Sequence, residues 1–396
     1  MTSTPAAPVS AAESFSAVEI PMIIAGGGTG GHLFPGLALA DALSAHGARI
    51  TFVGTARGIE ARAVPKAGYP LELIDVAGLK GQGLLGTVRS LLRLPLAAWQ
   101  ALQLIRRLRP RVVIGVGGYA SGPLVLLAAL SGIPTVVLEQ NSIPGVTNRL
   151  LGKLARRIFT AVPDAERFFP RAKVELCGNP IRLSVLAQSA AALPSLSLPA
   201  GLSAPPPLRV LVLGGSQGAR AVNQLVQDAL AHWLQHPPTD LQLVTALQLR
   251  HQTGTSDEAS VSARYRELGL PSTVARAEAF ITDMGQAYTD CDLMIGRAGA
   301  TTIAELTAVG RPALLIPFPQ AADDHQTFNA RSMVQQGAAL LFPQHQTSPQ
   351  QLAEALQRLC RQRTELAQMA TASRALGRPD AAQVIAAKVM ALCTSP

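Results

Sequence analysis

The residue best placed for chemistry is an imidazole. His32 follows a glycine-dense stretch, Gly26-Gly27-Gly28-Thr29-Gly30-Gly31, that joins a short apolar run to an apolar-periodic segment. Glycines let a backbone approach a ligand closely and take positive φ at little steric cost. A helix start behind such a turn offers unpaired N–H groups and the positive end of a dipole, so it can hold an anionic or polar ligand. A histidine near its ordinary pKa is suited to take a proton from a hydroxyl at neutral pH. The plainer alternative is a ring that bonds a backbone group at a helix N-terminus. A second chemistry-bearing run is Gly296-Arg297-Ala298-Gly299-Ala300-Thr301-Thr302-Ile303-Ala304-Glu305. Its amides and hydroxyls can bind a pyrophosphate, and a carboxylate such as that of Glu305 can take both hydroxyls of a ribose. The polar cluster Asp323-Asp324-His325-Gln326-Thr327-Phe328-Asn329 follows and suits the hydroxyls of a sugar ring.

Other chemistries fit less well. Gly26-x-Gly28-x-x-Gly31 matches a dinucleotide fingerprint, which expects an acid at the end of the second strand to hold the ribose. Here residues 50–53 run into Gly54-Thr55, and the next acid is Glu60, so a nicotinamide or flavin enzyme is disfavoured. Gly152-Lys153 is followed by Leu154 and lacks the magnesium-binding hydroxyl of a P-loop. Asp290-Cys291-Asp292 has the DxD spacing of a divalent-metal pair, but it opens a strand, where Asp292 more simply ends a helix or bonds a turn. Cys177, Cys291, Cys360 and Cys393 form no CxxC pair. Neither a zinc site nor a disulfide framework is expected, and a reducing cytoplasm fits.

Hydrophobic periodicity supplies the elements that must position these residues. At 396 residues and 48% hydrophobic content, the chain has material for about two domains. Apolar runs at 22–25, 50–53, 71–76, 112–116, 135–138 and 157–160 alternate with helical patterns, which implies a parallel sheet covered on both faces. Such sheets bind ligands beyond the carboxyl ends of their strands, where the turns at 26–32, 54–55, 117–123 and 139–141 fall. From residue 187 to 207 the composition shifts to Ala, Ser, Leu and Pro, as in a linker or variable loop. The pattern then restarts: a strand at 208–213, Gly214-Gly215-Ser216-Gln217-Gly218, and an amphipathic helix. Further strands are expected at 241–245, 293–295 and 313–316, and residues 350–392 read as helical. The net charge of +9 points to an anionic membrane, a nucleic acid or a phosphorylated substrate. No basic patch interleaved with aromatics occurs, which disfavours nucleic acid. Residues 1–17 lack the basic start and apolar core of a signal peptide, and no apolar run is long enough to span a bilayer. The stretch 78–111, with glycines, leucines, Trp99 and several arginines, suits either an anionic membrane surface or an ordinary helix with one buried face.

Six segments stand in order: Gly27-Gly28-Thr29-Gly30-Gly31-His32-x-Phe34-Pro35-Gly36, Gly117-Gly118-Tyr119-x-Ser121-Gly122-Pro123, Glu139-Gln140-Asn141, Gly178-Asn179-Pro180-x-Arg182, Gly214-Gly215-Ser216-Gln217-Gly218-Ala219 and the 297–305 run. This set resembles the MurG family of bacterial peptidoglycan glycosyltransferases over roughly residues 20–390. The resemblance implies an α/β fold of the GT-B type: two Rossmann-like, doubly wound parallel-sheet domains with a cleft between them. It divides the chain into a disordered tail (1–18), an acceptor and membrane domain (19–182), a linker (183–207), a UDP-GlcNAc-binding domain (208–375) and a C-terminal helix (376–396) packed back on the first domain. It implies inverting transfer of GlcNAc from UDP-GlcNAc to undecaprenyl-diphosphate-linked N-acetylmuramyl pentapeptide, the lipid I to lipid II step. The base would be His32, ahead of Glu139. Donor contacts would be Thr29, Gly30, Gly31, Asn141, Arg182, Ser216, Ile281, Ala300, Thr301, Thr302, Ile303, Ala304, Glu305, Gln326 and Asn329. In detail, the Ile281 backbone would meet uracil, Glu305 the ribose, and Gln326 with Asn329 the GlcNAc hydroxyls. Gly118, Tyr119 and Ser121 would lie on the acceptor side. His325 stands where a glutamine can occur in the family. Preorganised amides and hydroxyls, with a charge from Arg297, would stabilise the leaving diphosphate, so no cofactor and no obligatory metal ligand is expected. The implied location is the cytoplasmic face of the inner membrane, as a peripheral protein that serves cell-wall synthesis, cell shape and division beside other proteins of that pathway.

Overall fold

The computed structural model describes residues 19–76, 84–189, 206–215 and 218–394. Among them, thirteen strands form two all-parallel sheets. The first contains β1 (Ile20–Gly26), β2 (Ala48–Gly54), β3 (Leu71–Leu73), β4 (Val112–Gly117), β5 (Thr135–Glu139), β6 (Arg157–Thr160) and β7 (Val174–Leu176), in the order β3-β2-β1-β4-β5-β6-β7. The second contains β8 (Leu208–Leu213), β9 (Leu247–Gln252), β10 (Ala275–Glu278), β11 (Leu293–Gly296), β12 (Ala313–Leu315) and β13 (Ala339–Leu341), in the order β10-β9-β8-β11-β12-β13. Each sheet reverses its direction of winding beside its first strand, between β1 and β4 and between β8 and β11. A crevice opens at such a switch point. The doubly wound α/β class implied by the sequence is the class the chain forms.

Alternation along the first strand explains the layering, because successive side chains of a strand face opposite sides. Met22 and Ile24 pack under the helices Gly30–Ala45 and Ala381–Thr394; Ile23 and Ala25 pack under helices Leu84–Leu108, Ser121–Leu130 and Val146–Leu154. From the C-terminal helix, Ile385, Ala386 and Val389 join the core of the first half. Before the first strand of the second half, helix Leu183–Ser189 already packs on that half, with Val185 in its core.

Some boundaries move. The strand expected at 241–245 is a short helix, Leu243–Ala246, and the strand follows as β9. Its sequence carries Arg250, His251 and Gln252, so its apolar signal stops early. The fold accepts them because His251 bonds Tyr265 and Asn223 in the core. Strand β3 stops at Leu73, three residues before the apolar run ends. The short strands β7 and β10 carry too few apolar residues in a row to announce themselves, whereas β13 lies in the apolar run 338–342 and is absent from the strands expected above.

Candidate active site

The two halves meet where helix Gly30–Ala45 lies against helix Ala300–Val309. Proline chemistry shapes this contact. Pro35 has no N–H, so the Gly31 carbonyl four residues earlier lacks its helical donor. That carbonyl instead accepts the Thr301 hydroxyl of the second half, at 3.3 Å. Nearby, the Arg182 guanidinium lies 4.9 Å from the centre of the Phe34 ring. Asn329 makes a third crossing: its Oδ1 accepts from Ser142 N at 2.9 Å, and its Nδ2 donates to Asn141 Oδ1 and Ala298 O. Beside these bridges is a cavity of about 410 Å³, lined by Gln140 and Asn179 from one side and Ile181, Ala300, Ile303, Ala304 and Asn329 from the other.

His32 sits in the first turn of its helix, half-buried, with Nδ1 3.1 Å from Gln140 Oε1. Burial pushes its pKa below the ordinary histidine range, against its hydrogen bonds to Gln140 and to the Val116 carbonyl. The ring is therefore neutral at neutral pH, the state a base requires. Glu139 is different. It is 2% exposed, and its carboxylate accepts Asn141 N, Asn141 Nδ2 and Asn148 Nδ2 at 2.9–3.3 Å. Burial raises its pKa, against those donors. Its geometry is that of a clamp on the 141–148 loop and the wrong one for a base that meets a substrate hydroxyl.

On the second half, Glu305 is 3% exposed and accepts Arg182 Nε and Nη2 at 2.9 and 2.7 Å and the Tyr288 hydroxyl at 3.1 Å. Burial raises its pKa while Arg182 opposes the shift. Three implied donor contacts are engaged within the protein. Ile281 N–H donates to Gln252 Oε1, Gln326 Oε1 accepts Phe318 N–H, and Asn329 is the interdomain bridge described above. Arg297 departs from its expected role beside the diphosphate. Its Nη1 donates to the carbonyls of Ile316 and Pro317 and its Nη2 to Gln344, so it ties the loops after β11, β12 and β13 together. Burial lowers its pKa to about 10, which keeps it charged at neutral pH. Asp292, half of the DxD spacing, is ion-paired with Arg209, at 2.6 Å. Thr29 caps the His32 helix by backbone only, so its hydroxyl makes no cap bond, and Gly31 is exposed. Ser121 is buried and its hydroxyl donates to the Gly118 carbonyl, whereas Tyr119 is exposed. Ser216 and the glycines at 78–83 lie outside the described residues.

Two residues were missed. Glu60 entered the sequence argument only as an acid in the wrong place, yet it is 1% exposed and accepts Gly28 N–H at 2.7 Å and the N–H and hydroxyl of Thr55. Gly27, at φ +145°, has no Cβ because that space is filled by the Glu60 carboxylate. Tyr288 was invisible as a partner of Glu305, since the two come together only across helix packing. Asn179, quoted without a role, is 4% exposed, and neither of its amide atoms has a partner among the described residues.

Comparisons with known proteins agree with this geometry. Residues 22–160 match the glycosyltransferase family 28 N-terminal domain and residues 209–385 match the glycosyltransferase family 28 C-terminal domain. A relative from Anaeromyxobacter dehalogenans (strain 2CP-C), named UDP-N-acetylglucosamine–N-acetylmuramyl-(pentapeptide) pyrophosphoryl-undecaprenol N-acetylglucosamine transferase, is 47% identical over 94% of this chain and 92% of its own length. A Myxococcus xanthus (strain DK1622) relative of the same name is 45% identical over 92% and 91%. The crystal structure of Acinetobacter baumannii MurG superposes with a TM-score of 0.75 at 30% identity, covering 94% of this chain and 99% of that one. A UDP-GlcNAc 2-epimerase from Neisseria meningitidis, bound to UDP-GlcNAc, shares the fold alone, with a TM-score of 0.62 at 12% identity over 94% of this chain and all of that one.

Proposed function

We infer the reaction from one premise: the chain belongs to glycosyltransferase family 28, among the MurG transferases. It is a UDP-sugar-dependent hexosyltransferase that moves GlcNAc from UDP-GlcNAc to undecaprenyl-diphosphate-linked N-acetylmuramyl pentapeptide, converting lipid I to lipid II in peptidoglycan synthesis. The observation that carries this is 47% identity to a transferase of that name across 94% of the chain. The test is transfer of radiolabelled GlcNAc from its UDP donor to lipid-linked muramyl pentapeptide. Labelled lipid product is expected, and none from folded protein overturns the reading.

In the mechanism we favour, an α-linked donor giving a β-linked product requires one in-line displacement. The muramyl O4 attacks the anomeric carbon, His32 Nε2 takes its proton, and UDP departs. The helix start at Ala300, with the hydroxyls of Thr301 and Thr302, faces the cleft and can receive the charge that develops on the diphosphate. Glu305 and Arg182 would bind the nucleoside as a preassembled pair, and Thr29, Gly30 and Gly31 would meet the donor from the opposite wall. No cofactor enters this scheme.

We also place the first half on an anionic membrane. No described helix is long and apolar enough to cross a membrane. Three neighbouring helices on one side of the first sheet nonetheless expose large apolar side chains: Leu96 and Trp99, Leu126 and Leu130, then Val146, Leu150 and Leu154. The last three recur every fourth residue and form one stripe. Lys153 and Arg156 are exposed beside it, the pairing of apolar and basic residues that suits a lipid headgroup layer. Cosedimentation with vesicles containing anionic lipid, lost in Trp99→Ser/Leu150→Ser, is the measurement. Retention of binding in that variant would move the contact elsewhere.

A further inference from the structure

We propose that Gln140 is a positioning residue for the transfer step: its side-chain amide holds His32 in the tautomer with hydrogen on Nδ1, which leaves Nε2 free to receive the acceptor proton. The proposal rests on the reading of His32 as the base. Its foundation is a chain of hydrogen bonds with one consistent assignment. Gln140 follows β5 and is 2% exposed. Its Nε2 donates to the Val116 carbonyl at 3.1 Å. An amide nitrogen only donates and an amide oxygen only accepts, so this bond decides which way the side chain faces. Oε1 is thereby turned to His32 Nδ1, also at 3.1 Å. Because Oε1 has no hydrogen to give, Nδ1 must carry one, and in a neutral ring the lone pair then lies on Nε2. The neighbour of Val116 completes the device. Gly117 takes φ +100°, and a Cβ there would stand 2.7 Å from Nδ1, so only glycine leaves the ring its seat.

A glutamine does this work differently from a carboxylate. A carboxylate would favour the charged ring and raise its pKa. A neutral amide orients the ring and leaves burial to keep it unprotonated. Charged groups on the neighbouring elements have their own partners: Glu60 with Gly28 and Thr55, Glu139 with Asn141 and Asn148, Arg182 with Glu305. In the step itself, the proton of the muramyl O4–H goes to Nε2 and O4 bonds the anomeric carbon. The bond from that carbon to the terminal phosphate oxygen breaks, and its electron pair leaves on UDP. The imidazolium formed keeps its Nδ1–H bond to Oε1, and Gln140 takes no proton.

Nitrogen-15 NMR of the full chain reads the tautomer directly, with His32→Ala identifying the resonance. An Nδ1–H ring in the unmodified chain is expected; an Nε2–H ring overturns the proposal with no need of a variant at Gln140. Gln140→Met keeps the length and removes both hydrogen-bonding atoms. It should lower kcat about 10–100-fold, with KM for UDP-GlcNAc within about twofold. The acid limb of the kcat/KM profile should move to lower pH, because the larger of the two bonds that favour the charged ring is gone and only the one with the Val116 carbonyl is left. A fall in kcat with an unmoved acid limb is what a structural defect gives, and it overturns the proposal. The base reading fails separately: a fully active His32→Ala enzyme removes it whatever the tautomer.

Discussion

After β1 and again after β11, the chain makes a small-residue turn into a helix whose first amides face the cleft. What each turn faces differs. In the first half the Glu60 carboxylate sits in the place of the missing Gly27 side chain and accepts the Gly28 N–H. In the second half no described acid accepts an N–H of the turn before helix Ala300–Val309, where the Arg297 N–H goes to the Leu213 carbonyl, and residues 300–304 stay half-exposed. Attraction for anions comes with any such turn. Whether a turn binds a ligand's charge depends on whether the chain supplies its own. In the mechanism proposed above, the first turn, supplied with its own carboxylate, seats His32, and the second is left for the donor's diphosphate.

If that division of labour holds, damage to the two turns should separate in the kinetics. His32→Ala should lower kcat by about 10²–10⁴-fold with KM for UDP-GlcNAc little changed, because general-base catalysis is worth that much. Steady-state assays with lipid-linked acceptor decide it, and a kcat within threefold of the parent breaks the comparison at its strongest point. Glu305→Ala should act on the other side. Donor KM should rise steeply, and stability should fall by about 1–3 kcal/mol, because the half-buried Arg182 and the buried Tyr288 lose their shared partner. Steady-state kinetics measures the first effect and urea unfolding the second. An unchanged KM would detach Glu305 from the donor.

Glu60→Ala is the sharper probe of the comparison itself. It leaves Gly28 N–H and Thr55 without their acceptor, a loss of about 2 kcal/mol for bonds to a charged group. It also vacates the anion seat. Inorganic phosphate should then raise the Tm of the variant more than that of the parent. Equal responses would mean that the turn has no affinity for the carboxylate to satisfy.

The sequence made this contrast only half legible. Strands β1, β4, β5 and β8 are buried on both faces, so they read as continuous apolar runs and were placed within a residue or two. The turns into the His32 and Ala300 helices were equally clear, because glycine and hydroxyl residues mark them. What stayed hidden depends on contacts distant in sequence. Glu60 reaches Gly28 from 32 residues away, and Arg182 reaches Glu305 from 123 away. No local pattern encodes such meetings. For Arg297 the residue type was informative and its direction was not: carbonyls left free at the ends of β12 drew the guanidinium inward.

A last test uses the same register position in both sheets. Phe52 pairs with Ile24 in the fifth position of β2, and His251 pairs with Val212 in the fifth position of β9. Each lies beside a tyrosine, Tyr69 at 5.5 Å and Tyr265 at 6.2 Å between ring centres. The first half thus has an apolar core where the second has a titratable one. Burial lowers the His251 pKa from 6.5 to about 3. The folded state stays neutral over that window while the unfolded state takes a proton. Stability contributed by the neutral ring is therefore whole above the unfolded pKa and is lost as pH falls towards the folded one. The slope for one proton is about 1.4 kcal/mol per pH unit. Trp233, fully buried in the second half, reports unfolding there, while Trp99 of the first half is 56% exposed. Urea midpoints followed by Trp233 emission should drop between about pH 6.5 and pH 5 in the parent. In His251→Phe, which copies the residue of the first half, the slope should flatten, whatever the absolute stability. An undiminished slope would assign the acid sensitivity to another group and leave the two cores alike in their response to protons.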